Sequence, residues 1–416
     1  MSGGSASLPA SPRPPLSLLR PTPGRWRPAA AWLLALAAIG YLVATAVTGK
    51  MLDLDVYRAG GQAILHGGNL YAIRAADRLP FTYPPVSAVL AVPLALVPFQ
   101  VAKIGWIAMV CGPLLFAVRT GFRPILDRAG KAAPVLFPVI LAVAAYLLPV
   151  RQDFGFGQVD LLLLGMCLLD CLATSPRWPR GLLIGLATAI KLEPGVFIVY
   201  LLLTKRRREA GVAALSFAGW TALAWLISPR DSVAYWTSAI FDTSRLGGNA
   251  SAGNQALRGM VLRLHADVAP DLIWLPLALV VCVGGFAAAR ACWKSGHDLA
   301  GVTITGLLGA LLSPVAWIHH LCWIVVAIGV IAGDGRRARQ IWVAALTGAL
   351  FLSTLPIWAQ VTLPAAQLRS FPGFVLENSF GLWSLALIPV LFWIRVVRSE
   401  PLPEDAAPAT AATLPL

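Results

Sequence analysis

The chain has 416 residues, enough for two or three soluble domains. Its composition points elsewhere: hydrophobic residues make up 58% and charged residues 12%, with a mean hydropathy of +0.74. A soluble chain is roughly half apolar and a quarter charged, so a soluble enzyme, a disordered chain and a coiled coil are excluded. Lipid admits only helices and closed barrels, and the apolar runs here are longer than the roughly ten-residue strands of a barrel. A polytopic all-α membrane protein remains. The net charge of +14 does not call for nucleic acid, because the location of the basic residues accounts for it.

In chain order, residues 1–28 are rich in Pro, Ser and Arg and read as a disordered cytoplasmic tail. A transmembrane domain is expected over 29–398, with a second cytoplasmic tail over 399–416. Arg20, Arg25 and Arg27 precede an apolar run at 31–47. It reads as a signal anchor rather than a cleaved peptide, since the lead-in is long and many spans follow. Further spans are expected at 101–118, 133–150, 159–174, 209–227, 271–289, 341–358 and 381–397. Segment 84–98 is short and carries Pro84, Pro85, Pro93 and Pro98, so it reads as re-entrant or interfacial.

Two regions are broken. Segment 181–204 is interrupted by Lys191-Leu192-Glu193-Pro194, and 299–332 by Ser313-Pro314. Basic residues flank both at both ends, which predicts two hairpins of short helices and about twelve spans in all. With the N-terminus inside, the inner segments hold most of the 33 Lys and Arg but fewer than half of the 19 Asp and Glu. Loops at 48–83, 228–268 and 359–380 then lie outside, with both hairpin tips pointing the same way. Paired broken helices also occur in transporters, so a lipid transporter or flippase stays a rival reading. The six cysteines lack disulfide or zinc spacing and read as packing residues.

Four places hold residues suited to chemistry. Asp53 and Asp55 follow the first span; a carboxylate there suits a general base, or a plain helix cap. His319 and His320 sit at a helix break, where burial is costly without a purpose; they suit a phosphate, a proton or a metal, or a satisfied backbone contact. Lys191 sits at the other break and suits an anionic group, or a simple pair with Glu193. Arg245, Asn254, Gln255 and Arg258 lie in polar, glycine-containing loops that suit a sugar or a phosphate. Gln158 and Asp160 form a weaker signal after Gly155-Phe156-Gly157. No phosphate-binding or dinucleotide-binding glycine loop and no HExxH motif is present, so no cofactor is expected. Two clustered aspartates make a thin ligand set, and no metal is expected.

These residues, in order, resemble the polytopic GT-C glycosyltransferases of family 87, which include the actinobacterial α-mannosyltransferases that use polyprenyl-phosphate-mannose. The resemblance runs from about 50 to 380. It rests on Asp53-Leu-Asp-Val-Tyr57, Leu70-Tyr71, Phe81-Thr-Tyr-Pro-Pro85, Gly157-Gln-Val-Asp160, Lys191-Leu-Glu-Pro194, Asn254-Gln255 and Ser313-Pro-Val-Ala-Trp-Ile-His-His320. It implies a GT-C transmembrane catalytic domain with Asp53 as the base and Asp55 as the second candidate. His319, His320 and Lys191 match the family's polar positions. Tyr57, Phe81, Tyr83, Gln158, Arg245, Asn254, Gln255, Arg258 and Trp317 are candidates for holding substrate. The chain departs from the family at Asp160, Glu193, Ala256 and Ala316, where Asn, Thr or another small residue, Ser and Ser are usual. The implied reaction is transfer with inversion, at the outer face of the plasma membrane, from a polyprenyl-phosphate sugar to a glycolipid such as a mannolipid or lipoglycan. The implied sugar is mannose, with arabinofuranose as the alternative. The polar residues gather at outer ends rather than along a path through the bilayer, which favours an enzyme over a transporter.

Overall fold

The computed structural model describes residues 26–75, 79–264 and 268–397. The expected tails lie outside the described residues except for 26–28, which already belong to the first helix. That helix, α1 (Trp26–Thr48), is followed by α2 (Leu52–His66), a two-stranded antiparallel ribbon pairing Arg74–Ala75 with Leu79–Pro80, and the short helices α3 (Pro85–Leu90) and α4 (Val92–Ala95). Next come α5 (Phe99–Gly121), α6 (Arg123–Ala129), α7 (Ala133–Tyr146), α8 (Leu148–Phe156) and α9 (Asp160–Leu172). The first broken region holds α10 (Leu182–Ile190) and α11 (Val196–Leu203), and α12 (Arg207–Ile227), α13 (Pro229–Thr237) and α14 (Leu257–Leu262) follow. The chain ends with α15 (Pro270–Lys294), α16 (Asp298–Leu312), α17 (Ile324–Ala332), α18 (Ala338–Leu352), α19 (Leu355–Thr362), α20 (Ala365–Leu368), α21 (Phe371–Glu377) and α22 (Ser379–Phe392).

Among the described residues, six helices are long and apolar enough to cross a membrane: those at 27–48, 99–121, 123–146, 207–227, 270–294 and 379–397. Two bent pairs, α8 with α9 and α18 with α19, raise the number to eight if each is one span. The expected twelve therefore includes helices as short as α10, with 9 residues, and α16, with 15. At 1.5 Å per residue these fall short of a hydrocarbon core of about 30 Å. Segment 84–98 forms α3 and α4, of six and four residues, too short to span.

Length and position are linked. Several long helices turn bulky apolar side chains outward, as at Leu34 on α1, Leu226 on α12 and Leu272 on α15, each more than 70% exposed. A lipid solvent accepts such a surface and water does not. The short helices fill the middle: every residue of α16 from Ala300 to Leu311 is buried. A helix that is apolar all round belongs inside.

Both broken regions are hairpins. Gly185 on α10 packs against Ala213 and Ser216 on α12, while Arg206, just after α11, donates to the Asp170 carbonyl at the foot of the α9–α10 turn. The two ends of 181–204 thus return to one side. The feet of both hairpins line a common cavity, and their breaks meet at Lys191 and His320.

The turn into α2 is unusual. Met51 has φ 45°, rare for a residue with a side chain, and is buried. It lies against Gly157, which ends α8 with φ +70° at a 115° bend into α9. A Cβ on Gly157 would lie 2.6 Å from Leu54 Cβ. The Gly157-Gln158-Val159-Asp160 stretch therefore sits where α2 crosses the α8–α9 elbow. Gly157→Ala is expected to cost about 1–3 kcal/mol, since it meets both a left-handed backbone and a close neighbour. Thermal unfolding of the purified variant should show the loss, with Ala replacing Gly155, where a Cβ meets nothing within 4 Å, as the harmless control.

Candidate active site

Asp53 and Tyr57 are four residues apart on α2 and share a face; Asp55, two residues on, is turned about 200° away. The shared face meets Gln158 at the elbow. Tyr57 Oη donates to Gln158 Oε1 at 2.9 Å, and the Gln158 side chain also hydrogen-bonds the Asp53 carboxylate. Tyr57 and Tyr83 hydroxyls are 3.0 Å apart, with ring centroids at 4.9 Å. Trp106 donates to the Gln158 carbonyl at 3.2 Å, which pins the elbow from below. Burial pushes the Asp53 carboxyl up to about 6, against the opposing pull of the Gln158 bond and the Lys191 charge.

Lys191 stands one layer deeper. Its Nζ is 2.7 Å from Asp160 Oδ1, 3.9 Å from Glu193 Oε2 and 3.0 Å from His320 Nε2. His320 Nδ1 lies 2.8 Å from Glu193 Oε1. A buried charge is tolerated only when paired, and this set pairs itself. Asp153 supports it from behind: its Oδ2 accepts from the backbone N–H of Leu161 at 3.1 Å, in the first turn of α9 beside Asp160.

His319 differs from its neighbour. It is buried, its ring lies 4.8 Å from that of His320 and 5.9 Å from Phe156, and neither ring nitrogen has a hydrogen-bond partner. Buried polar atoms are rarely left so without a task. Asp160, His319 and His320 converge closely enough to suit a metal ion, with their ligand atoms within 4.8 Å. The Lys191 ammonium already occupies the space beside Asp160 and balances it, so the set suits a lysine-centred ion pair better than a second cation.

The remaining candidates separate into two groups. Trp317 forms a β-bridge with Asn254 and is half-buried beside Gly247 and Gly253, two residues before His319. Tyr83 joins the Asp53 cluster directly. Phe81, in contrast, is fully buried between Gly60, Tyr71 and Tyr83, which gives it a packing role. Arg245 donates to the Tyr71 carbonyl at 2.8 Å and lies over the Tyr71 ring, tying two loops together. Asn254 Oδ1 accepts from Ala256 and Ala316 N–H, and Gln255 clamps Ala252, Glu377 and Gly381. Arg258 pairs with Asp271 over Trp274. These four hold loops in place rather than converging on Asp53. Asp160 and Glu193 complete the centre: the sequence offered Glu193 as a partner for Lys191 and Asp160 as a weak loop signal, and both sit on Lys191 in the fold.

A model of glycosyltransferase family 87 matches residues 81–314. A polyprenol-phosphate-mannose-dependent alpha-(1-2)-phosphatidylinositol mannoside mannosyltransferase of Mycobacterium tuberculosis is 33% identical over 399 residues, covering 89% of this chain and 91% of its own. The enzyme of that description from Mycolicibacterium smegmatis is 33% identical over 389 residues, covering 84% and 85%. An alpha-(1->3)-arabinofuranosyltransferase of Corynebacterium glutamicum is 26% identical over 340 residues, covering 78% and 77%. No solved structure matches. The transmembrane helical fold and the polar cluster at one end of it are those of a membrane-embedded glycosyltransferase. The chain belongs to glycosyltransferase family 87.

Four outcomes follow from the geometry. With Asp53 accepting a substrate proton, kcat/KM should fall as pH drops through about 6, where an ordinary aspartate would stay active to about 4. Gln158→Leu removes a bond to the ionised carboxylate, so that acid limb should move to higher pH. Lys191→Met leaves Asp160 and Glu193 without their cation and should cost about 3–5 kcal/mol in unfolding measurements. Adding Asp160→Asn should return part of that loss.

Proposed function

We propose that the chain transfers a mannosyl unit from polyprenyl-phosphate-mannose to a hydroxyl of a mannolipid or lipoglycan, with inversion, at the outer face of the plasma membrane. The observation that carries this reading is the single cluster in which Asp53, held by Gln158, faces Lys191 and the paired histidines across the α8–α9 elbow. The 33% identity to two mannosyltransferases, against 26% to the arabinofuranosyltransferase, supports mannose as the sugar. The phosphatidylinositol mannoside in the names of those two relatives supports a mannolipid acceptor here. The excess of basic residues at the ends away from Asp53 supports the outward orientation.

In this mechanism the Asp53 carboxylate takes the proton of the acceptor hydroxyl. The acceptor oxygen bonds to the anomeric carbon as the bond from that carbon to the phosphate oxygen breaks. The polyprenyl phosphate leaves with the electron pair. Attack opposite the leaving group inverts the centre, as in base-assisted glycoside chemistry. The charge gathering on the phosphate needs donors fixed in advance. Lys191 is already balanced by two carboxylates, so His319, with both ring nitrogens unpartnered, is the side chain readiest to receive it. Tyr83 and Trp317 offer aromatic surface to the sugar.

The test is transfer by purified protein in nanodiscs from radiolabelled polyprenyl-phosphate-mannose to an actinobacterial mannolipid extract. Asp53→Asn should lose about 10²–10⁴-fold in rate, and Asp55→Asn should stay near wild type. A dead Asp55→Asn with an active Asp53→Asn would move the base by two residues. Transfer from polyprenyl-phosphate-arabinose alone would replace the sugar, and no transfer from either donor by folded protein would remove the reading.

A further inference from the structure

A second polar feature lies at the opposite end of the bundle from Asp53. The ends of α5, α9, α12, α15 and α16 surround an open cavity of about 640 Å³. That volume falls within the roughly 300–1,000 Å³ of small-ligand sites. Four guanidinium groups line it, from Arg123, Arg180, Arg206 and Arg395, against two carboxylates, Glu209 and Asp298. Arg123 also pairs with Asp127 at 3.5 Å, a surface carboxylate outside the lining, so four guanidinium groups stand against three carboxylates. Arg206 Nε lies 2.8 Å from Glu209 Oε2, and Arg180 reaches the same carboxylate only at 3.6 Å. Arg180 Nε is buried without a hydrogen-bond partner. One carboxylate thus serves two arginines, each of which carries five donors.

None of the residues around Asp53, Lys191 or the histidines lines this cavity. Part of its wall is apolar, from Leu172, Leu299 and Val330. Guanidinium forks match phosphate oxygens in geometry as well as charge, and a basic pocket at the ends of membrane helices is suited to an acidic head group. We propose that this cavity is a binding site for a phosphate-bearing anion, on the face of the membrane opposite the transfer site. An acidic phospholipid head group and a soluble phosphate present the same chemistry to it.

The experiment compares wild type with Arg123→Gln/Arg180→Gln. Both side chains are partly exposed, and neither belongs to the transfer centre. Native mass spectrometry counts the lipids retained from nanodiscs of phosphatidylcholine with and without phosphatidylglycerol. A parallel thermal-shift titration in phosphatidylcholine alone uses inorganic phosphate. Retention of phosphatidylglycerol by wild type, weakened about tenfold or more in the double variant, supports the site with a lipid as its source. Stabilisation by inorganic phosphate, lost in the variant, supports it with a soluble source. Mannosyl transfer by the variant should stay at the wild-type rate in phosphatidylcholine, which keeps this test separate from that of the transfer reaction. Equal behaviour of the two proteins toward both anions overturns the proposal. If the variant does not fold, the wild-type data decide: no preference for phosphatidylglycerol over phosphatidylcholine and no response to phosphate also overturns it.

Discussion

A lysine buried at the break of a short helical hairpin needs an anion within reach, and much of the central architecture follows from meeting that need. Lys191 reaches Asp160 on α9, Glu193 on its own hairpin and His320 on the other. Three separate stretches of chain are therefore drawn to one point inside an apolar bundle. Desolvating these groups is costly, and leaving any one of them unpaired is costlier still. The two broken regions cannot drift apart without exposing that cost. The short helices of the interior follow from it: each hairpin must stop and turn at the depth where its polar residues meet.

Around this centre the bundle sorts by length. The long helices face outward with leucines and valines that a lipid solvent accepts, while α16 and α17, short and apolar, are buried almost throughout and fill the middle. Hydropathy made the long ones legible in the sequence: α1, α5, α12, α15 and α22 fall within a few residues of the expected spans. The prolines of 84–98 marked a segment unfit to span, and α3 and α4 are short. What hydropathy concealed was the difference in length, because a 15-residue apolar helix and a 23-residue one give similar local averages. The elbow at Gly157 was likewise hidden. The sequence there reads as a weak glycine loop, and its left-handed backbone and the close approach of Leu54 appear only in the fold.

The site was legible in part. Asp53, Lys191 and the paired histidines stood out because ionisable residues beside long apolar runs are expensive. Their mutual arrangement did not, since nothing in the spacing of residues 53, 158, 191 and 320 says that they touch. Helical geometry adds what spacing did not: residues two apart on α2 point in different directions, so Asp53 and Asp55 face different surroundings. The amide-rich loop was the least readable region. Asn254 and Gln255 look like sugar-binding amides, yet in the fold their hydrogen bonds are spent on the backbone of neighbouring loops. A polar side chain in a loop can serve substrate or loop equally, and composition does not distinguish the two.

The carboxylate on α2 and the cation at the hairpin tip belong to different parts of the molecule. Asp53 rides on α2, which enters through the left-handed turn at Met51, whereas Lys191 and the histidines are anchored in the packed interior. Gln158 bonds to the α2 side through Tyr57 and Asp53 and stands two residues before Asp160, the partner of Lys191. Such a division leaves the α2 side and its neighbouring loops freer to change in sequence than the ion-paired interior.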